Sequence, residues 1–471
     1  MTPPSRSRPG LTELAEEGLS LHRKRAILIP LRLVTALATL VGIGTALLLL
    51  PAMTTQPISL LDALFTATSA AAVTGLTVVT TSTAFTRLGQ WVILFLMQFG
   101  GLGFVVTVVL TLRLLGRQIS LIDRLAVTSS FGLATPRAVV RILGRTVGVM
   151  LILEAAGALI LWLHWRNSGI VPSGDVAFYA VFHSVAAFCN AGFDLFGGLP
   201  LYPDGLPADP LTLLTLGLLI ILGGLGIPVY MDILHRRAAG SLRHRRLSLH
   251  TRLALWSALA LILIGWVGLL SAEYRHGGVL ADISFGERAL RAWFQSVAAR
   301  TAGFAGLSSF NEISEAGRLL MMGLMFIGSA PASMGGGITT GTLAVLVVAT
   351  WNLNRGHKSV HVGDRAISMA TVWRATTVLI ISLVVVFTAT WLLLISQNQD
   401  LSSTLFEVVS AYSTTGLSVG LTGQLNPFGR LVIIVMMFWG RLGAITILLV
   451  LLRRSGRETL VTYPEETVLV G

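Results

Sequence analysis

The chain has 471 residues, of which 54% are hydrophobic and 12% charged, and its formal net charge is +12. This composition is far more apolar than that of a soluble domain. It therefore excludes the class of soluble proteins. Several stretches are long enough to cross about 30 Å of hydrocarbon at about 20 residues each. The one cysteine, Cys189, excludes an intrachain disulfide. Most of the positively charged residues lie in a few loops, which favours a membrane topology and argues against nucleic-acid binding.

The first repeat of the chain follows a polar tail. Residues 1–25 are charged and lack the apolar core and cleavage site of a signal peptide. A span is predicted over residues 26–50, ending before Pro51. Residues 58–72 are too short to span and suit a re-entrant helix. A second span is predicted over residues 88–112.

This triplet of long span, short segment and long span recurs three more times. It predicts an all-α membrane protein of four membrane-pore-membrane repeats, with eight transmembrane helices and four re-entrant pore helices around one pseudo-fourfold pore. The predicted repeats are residues 26–113, 138–235, 251–350 and 373–454, followed by a tail at 455–471. The other short segments are residues 177–190, 285–299 and 402–413, and the last spans of repeats two to four are residues 211–234, 318–350 and 428–452.

Related runs of sequence end the four short segments. The runs are Phe65–Leu76, Phe182–Phe193, Phe294–Phe304 and Phe406–Leu417. Each opens with an aromatic residue, has a serine with small neighbours and ends with glycine and a large apolar residue. The glycines are separated by 117, 111 and 113 residues. Such regular spacing indicates repeat architecture.

The distribution of charge supports the same topology. Of the 34 Lys and Arg residues, 24 lie in residues 1–25, 113–145, 235–252, 353–374 and 453–457. With eight crossings, all these loops lie on one side, which the positive-inside rule makes cytoplasmic together with both termini. The short segments then enter from outside, and the basic residues serve topology and contact with lipid headgroups.

The chemistry of four glycine turns in a membrane points to cation passage. Non-helical backbone survives there only when it is buried in protein or lines a watery path. A ring of carbonyl oxygens replaces the hydration shell of a monovalent cation, and the negative ends of the half-helices favour a cation at the membrane centre. No Asp or Glu lies in the turns, which disfavours a divalent-selective site. Small-residue helix packing is the alternative for one copy, but four copies favour the pore.

The runs resemble the selectivity filters of the Ktr/Trk/HKT superfamily of potassium uptake systems. The resemblance covers residues 26–471 and is closest to the Ktr-type membrane subunit, because the extra N-terminal helix pair of Trk-type subunits is missing. It implies that the following residues bind the ion: Val73, Thr74, Gly75, Asn190, Ala191, Gly192, Thr301, Ala302, Gly303, Thr414, Thr415 and Gly416.

The same resemblance implies a function and partners. It implies channel-like potassium uptake across the bacterial cytoplasmic membrane that depends on sodium, and a homodimer with residues 463–471 near the dimer interface. It also implies a cytoplasmic ring of RCK-type subunits that bind nucleotide. The sequence has no P-loop or other nucleotide-binding glycine pattern. We therefore expect no enzyme activity, no organic cofactor and no metal beyond potassium, with sodium possible as a second ion.

The last span of the third repeat is interrupted by residues 328–337. Glycines and Pro331 destabilise a continuous helix there. This stretch looks like the intramembrane gating loop of the family, although a simple kink is the alternative; its candidate gate residues are Gly328, Pro331, Ser333, Gly335, Gly336 and Gly337. Met334 and Thr339 depart from the family pattern, so the energetics and regulation of the gate are less safely transferred than the pore.

Arg441 stands in an otherwise apolar span of the fourth repeat. A charge inside a membrane is expensive and functional by default. Arg441 either faces the loop and limits permeation, as the matching arginine of the family does, or pairs with a buried carboxylate such as Glu154. His183 and Cys189 are interpreted as packing residues. A secondary transporter with broken-helix inverted repeats remains the alternative function; it predicts two halves and stoichiometric coupling.

Overall fold

The computed structural model describes residues 31, 33–101, 136–199, 202, 205–239, 247–274, 278–281, 283–357 and 359–443. These residues are mostly helical, as the sequence predicts. A small antiparallel hairpin of β1 (His361–Val362) and β2 (Arg365–Ala366) is an addition that the sequence did not predict. The two predicted tails, residues 1–25 and 455–471, lie outside the described residues.

The helices of the first two repeats include both long and short elements. In chain order they are α1 (Leu33–Leu48), α2 (Leu60–Ala71), α3 (Thr81–Ala84), α4 (Arg87–Gly101), α5 (Pro136–Ser168), α6 (Val176–Phe188), α7 (Pro210–Gly224) and α8 (Ile227–Ala239). A three-residue 3-10 helix, Pro51–Met53, precedes α2.

The third and fourth repeats follow the same alternation. Their helices are α9 (Leu249–Glu273), α10 (Phe285–Ala298), α11 (Glu315–Phe326), α12 (Thr340–Asn354), α13 (Met369–Ser396), α14 (Leu401–Tyr412) and α15 (Pro427–Leu442). Short 3-10 helices lie at Phe310–Glu312 and Thr422–Gln424. The short helices α2, α6, α10 and α14 overlap the four predicted re-entrant segments and are called the half-helices.

Most helices begin at a residue that caps the backbone. A Ser, Thr, Asp or Asn side chain at the N-cap accepts a hydrogen bond from a backbone N–H of the first turn, which leaves fewer unpaired donors at the helix start. These N-caps are Ser59, Asp209, Ser248, Ser284, Ser314, Thr339, Ser368, Asp400 and Asn426. Proline at the first helical position reinforces the starts of α7 and α15.

Three described helices are long and apolar enough to cross a membrane. They are Val147–Ser168, Leu249–Glu273 and Met369–Ser396, and the bent pair Pro210–Gly224 with Ile227–Leu234 makes a fourth if it counts as one span. Large apolar side chains such as Trp256 and Phe387 are exposed on them, which suits a lipid environment. The predicted spans 26–50, 88–112 and 428–452 include residues outside the described ranges, and the predicted span 318–350 is broken. Eight crossings therefore stay a prediction.

Two predicted spans are broken. Residues 327–339, here called the break segment, separate α11 from α12 and contain the whole of the predicted loop 328–337. The predicted span 211–234 is also broken, because α7 and α8 meet at 87°. Gly226 there has a φ of 81° and Pro228 follows it. Positive φ and proline both end a helix, so the second repeat contains a break that the sequence analysis did not single out.

Buried aromatic side chains hold the half-helices among the longer helices. Phe182 and Phe188 of α6 lie in one hydrophobic cluster with Trp165 of α5. Phe406 and Tyr412 of α14 lie in a second cluster, formed mainly by the third and fourth repeats. The half-helices α6 and α14 are therefore buried among the longer helices around them.

Candidate functional site: four glycine turns

The four half-helices lead into turns with the same backbone conformation. The glycine turns are residues 73–75, 190–192, 301–303 and 414–416. In each turn φ is positive at the first residue and at the glycine: 58° and 91°, 56° and 66°, 71° and 74°, and 51° and 96°. The first residues are Val73, Asn190, Thr301 and Thr414. Positive φ is costly for a β-branched residue, and strain of this kind is concentrated at functional sites.

The four turns lie next to one another in chain order and close into a ring. A Cβ on Gly75 would lie 2.5 Å from the carbonyl oxygen of Ala191, and one on Gly192 would lie 2.7 Å from that of Ala302. A Cβ on Gly303 would lie 2.1 Å from the oxygen of Thr415. The ring closes because a Cβ on Gly416 would lie 2.0 Å from the oxygen of Thr74. Glycine is required at all four positions by both φ and close approach.

The carbonyl oxygens of these turns lack hydrogen-bond donors in the part of the chain that the structure describes. None of the carbonyls of residues 73–75, 190–192, 301–303 and 414–416 accepts a hydrogen bond from a described residue. The side chains of Thr74, Ala191, Ala302 and Thr415 are fully buried. Buried backbone carbonyls are almost always paired. A ring of unpaired carbonyls is therefore equipped to coordinate a cation.

Backbone bonds to the half-helices fix the shape of the turns. Thr74 N–H donates to the Ser69 carbonyl at 2.7 Å, and Thr415 N–H donates to the Ser410 carbonyl at 2.8 Å. In the same two turns the glycine N–H donates to the serine hydroxyl at 3.1 Å. The N–H groups of these two turns thus donate to the half-helix, whereas the carbonyls of the turns can face the ring.

The break segment lies against the third and fourth turns. Gly336 N–H donates to Thr414 Oγ1 at 2.9 Å, and Ser329 Oγ lies 2.6 Å from Thr301 Oγ1. A Cβ on Gly335 would lie 2.1 Å from Thr301 Oγ1. The structure thus brings predicted gate residues into direct contact with the turns, on the side where the half-helices end.

The break segment is also docked in the break of the second repeat. Ala330 N–H donates to the Gly224 carbonyl at 3.0 Å, and Ile227 N–H donates to the Ala332 carbonyl at 3.0 Å. A Cβ on Gly226 would lie 2.6 Å from the Pro331 carbonyl oxygen. Ser333, another predicted gate residue, has a buried hydroxyl with no hydrogen-bond partner among the described residues. Gly328 N–H donates to the Ile338 carbonyl and Gly337 N–H to the Gly440 carbonyl, which closes the segment on itself and on α15.

Arg441 connects the break segment to two helices. Its Nη1 donates to the Met334 carbonyl, and its Nη2 donates to the carbonyls of Gly100 and Gly101 at the end of α4. Glu154 instead accepts hydrogen bonds from Gln98 Nε2 at 3.1 and 3.2 Å. The described contacts thus place Arg441 against the loop, and its role in limiting permeation stays a prediction.

Three further glycines support the site and were not predicted as a set. A Cβ on Gly100, Gly223 or Gly440 would lie about 2 Å from a half-helix carbonyl, at 2.1, 1.8 and 1.8 Å. These carbonyls belong to the last residues of α2, α6 and α14, namely Ala71, Phe188 and Tyr412. The sequence signal was present, since each is the first glycine of a glycine-rich stretch in the last span of its repeat.

The two residues interpreted as packing residues are both fully buried. Cys189 lies beside Gly101 and within 4 Å of Glu154 and Gln98. His183 packs against rings, but it also lies 3.0 Å from Asp194. In the described part of the chain, no group of three or more His, Cys, Asp or Glu residues is placed to hold a metal ion.

Comparisons with known proteins define the class as cation transport proteins. The sequence model of the family described as "TrkH: Cation transport protein" matches residues 13–457. A crystal structure of the potassium transporter TrkH from Vibrio parahaemolyticus superposes with a TM-score of 0.71, covering 90% of this chain and 84% of that one at 22% identity. That likeness supports the fold.

Relatives with similar sequences define the family of the chain more narrowly. The Ktr system potassium uptake protein B of Vibrio alginolyticus is 36% identical over 428 residues, covering 91% of this chain and 92% of that protein. Protein B of Bacillus subtilis is 36% identical over 432 residues, with 91% and 94% covered. The potassium/sodium uptake protein NtpJ of Enterococcus hirae is 34% identical over 463 residues, with 95% and 99% covered. The chain belongs to the TrkH/Ktr family, and the resemblance seen in the sequence is confirmed.

Proposed function

We propose that this chain takes up potassium through the ring of glycine turns, which act as its selectivity filter. The single observation that carries the proposal is the closed ring of four turns, whose buried carbonyls accept no hydrogen bond from the described residues. A monovalent cation that enters such a ring exchanges its hydration water for carbonyl oxygens. The names of the relatives from Vibrio alginolyticus and Bacillus subtilis specify potassium uptake, which supports potassium as the ion.

The passage is channel-like in this proposal, and sodium is required for it. Four similar quarters around one ring support a pore more than the two large halves expected of a secondary transporter. The name of the Enterococcus hirae relative includes both potassium and sodium, which supports a part for sodium. We assign no enzyme activity and no organic cofactor to the chain.

The break segment and Arg441 form the gate. The segment occupies the inner side of the third and fourth turns, and Arg441 places a positive charge beside it. A cation that has passed the ring meets both the backbone obstruction and the charge. Opening requires the segment to leave its contacts with Thr301 and Thr414.

The chain works in an assembly in the bacterial cytoplasmic membrane, with both termini in the cytoplasm. The names of two relatives refer to a Ktr system, which supports a regulatory subunit. We propose an RCK-type ring that binds nucleotide and docks on the basic inner loops, and a homodimer of this chain. Membrane lipids contact the same basic loops, and nucleic acid is not a partner.

The test is potassium uptake by a transport-deficient bacterium that expresses the chain, with and without sodium. We expect sodium-dependent uptake by the wild type and less potassium-selective uptake by Gly303→Ser. If uptake is absent although the protein is inserted and a cytoplasmic partner is supplied, the proposed function is wrong. Flux coupled to another ion at a fixed stoichiometry would support a secondary transporter instead.

A further inference from the structure

Each half-helix carries a buried polar residue directly after the phenylalanine that opens its related run of sequence. These residues are Thr66, His183, Gln295 and Glu407, and their exposed fractions are 1% or less. None belongs to a glycine turn, to the break segment or to Arg441. Because burying a polar group without a partner is costly, the partners of these four side chains indicate what they do.

Three of the four bind the chain on the outward side of their own turn. Leu195 N–H lies 3.3 Å from His183 Nε2. Gly306 N–H donates to Gln295 Oε1 at 2.8 Å, and Val419 N–H donates to Glu407 Oε1 at 3.1 Å. The N–H groups belong to the third residue after glycines 192, 303 and 416. The same backbone atom is therefore held in three turns by three chemically different side chains.

The first turn lacks this bond. Thr66 Oγ1 donates to the Asp62 carbonyl one turn back in α2 at 2.9 Å. In the described contacts it does not reach Val78, the third residue after Gly75. The four turns thus share one backbone conformation, but only three are braced at this point.

We propose that His183, Gln295 and Glu407 are positioning residues that set the preference of the ring for potassium over sodium. This inference rests on the proposed function. The half-helix holds each turn from below through backbone bonds, and the brace holds the chain that leaves it. With both sides fixed, the carbonyl ring resists the contraction that a smaller ion requires. Loss of a brace leaves a buried N–H unpaired and frees one side of its turn.

The brace of the second turn depends on the tautomer of His183. His183 Nδ1 lies 2.8 Å from the Tyr179 carbonyl, which only accepts, so Nδ1 carries a proton. In that tautomer Nε2 is the acceptor of Leu195 N–H. Asp194 Oδ1 lies 3.0 Å from the same nitrogen.

The surroundings leave Asp194 as the charged group that faces His183. Asp194 also accepts N–H bonds from Phe196 at 2.9 Å and Gly197 at 2.7 Å. Trp165 and Phe196 pack against the imidazole ring from other elements. Tyr179 of α6 also packs against the imidazole ring, and the Arg87 guanidinium lies over the ring of Tyr179. These contacts hold the imidazole in the position from which Nε2 reaches Leu195 N–H.

The first test compares matched substitutions in the third and first turns. Gln295→Leu removes the acceptor of Gly306 N–H, whereas Thr66→Val alters the equivalent buried position without a brace. We expect the potassium-to-sodium uptake ratio, normalised to inserted protein, to fall about three- to tenfold in Gln295→Leu and to remain unchanged in Thr66→Val. Gln295→Glu keeps an oxygen acceptor, as in the fourth turn, and restores most of the ratio. An unchanged ratio in Gln295→Leu overturns the proposal.

The second test uses the second turn and does not depend on the stability of the first variant. His183→Leu removes the acceptor of Leu195 N–H, so the potassium-to-sodium uptake ratio should fall. His183→Gln keeps an acceptor at this position and should retain most of the ratio. An unchanged ratio in well-inserted His183→Leu overturns the proposal. Absence of potassium uptake by the wild type itself, with its cytoplasmic partner supplied, would instead contradict the proposed function.

Discussion

The Thr74 carbonyl oxygen lies where a Cβ on Gly416 would have to be, with only 2.0 Å between the two positions. Thr74 belongs to the first turn and Gly416 to the last, so this contact joins the two ends of the repeat series. The chain therefore forms a closed ring by itself, without a second copy. Substitutions at the ring glycines test its function most directly.

We expect Gly303→Ser and Gly416→Ser to reduce potassium preference more than Gly192→Ser. A Cβ at the first two would lie 2.1 and 2.0 Å from a neighbouring carbonyl oxygen, against 2.7 Å at Gly192. The measurement is the potassium-to-sodium uptake ratio in cells. Gly323→Ala is the control, because nothing lies within 4 Å of a Cβ there. An unchanged ion preference in all three serine variants would contradict the assignment of the glycine turns as the selectivity filter.

Deletion of several residues within 330–336 should raise basal potassium flux. The deletion removes the bonds of the break segment to Gly224 and Thr414, so the inner side of the ring opens. Flux should be measured at equal amounts of inserted protein, without the cytoplasmic partner. A well-inserted deletion variant with wild-type basal flux would show that the segment does not limit permeation.

Arg441→Gln should also raise basal flux, by several-fold. The substitution removes the bonds to the carbonyls of Met334 and Gly100 and a positive charge from the proposed ion path. Arg430→Gln is a matched control on the same helix, since Arg430 pairs with Asp62 near the start of α2. Equal effects of both variants would assign the change to loss of an arginine in α15 rather than to the gate.

Gly223→Ala and Gly440→Ala should destabilise the fold rather than change ion preference alone. The new methyl group would lie 1.8 Å from the last carbonyl of a half-helix, and overpacking of this kind costs about 1–3 kcal/mol. Thermal unfolding of the purified protein is the measurement. Gly148→Ala, with open space at its Cβ, should leave the midpoint unchanged. Wild-type midpoints for both test variants would contradict the close packing described here.

The local features of the site could be predicted from the sequence. The four turns were found because their glycines recur at near-equal spacing, and the break segment because Pro331 stands among glycines. Both are local signals, in which a residue type directly restricts the backbone. The bounds of the half-helices could be estimated in the same way, from length and small-residue composition.

The long-range features could not be predicted. The break at Gly226 was missed because the glycines of the second repeat look like those of the first, and only contact with Pro331 distinguishes them. The partners of Arg441 lie more than 100 residues away in sequence. The braces at His183, Gln295 and Glu407 share a position but no residue type, so no sequence pattern marks them.

The docking of one helix break into another has a mechanical consequence. Ala330 and Ile227 bind across the two breaks in both directions, and α8 and α12 lead away from them toward the basic loops. The break segment cannot withdraw from the turns without breaking bonds to the second repeat. A displacement of either α8 or α12 is therefore transmitted to the break segment. Movements of two different helices thus act on the same segment.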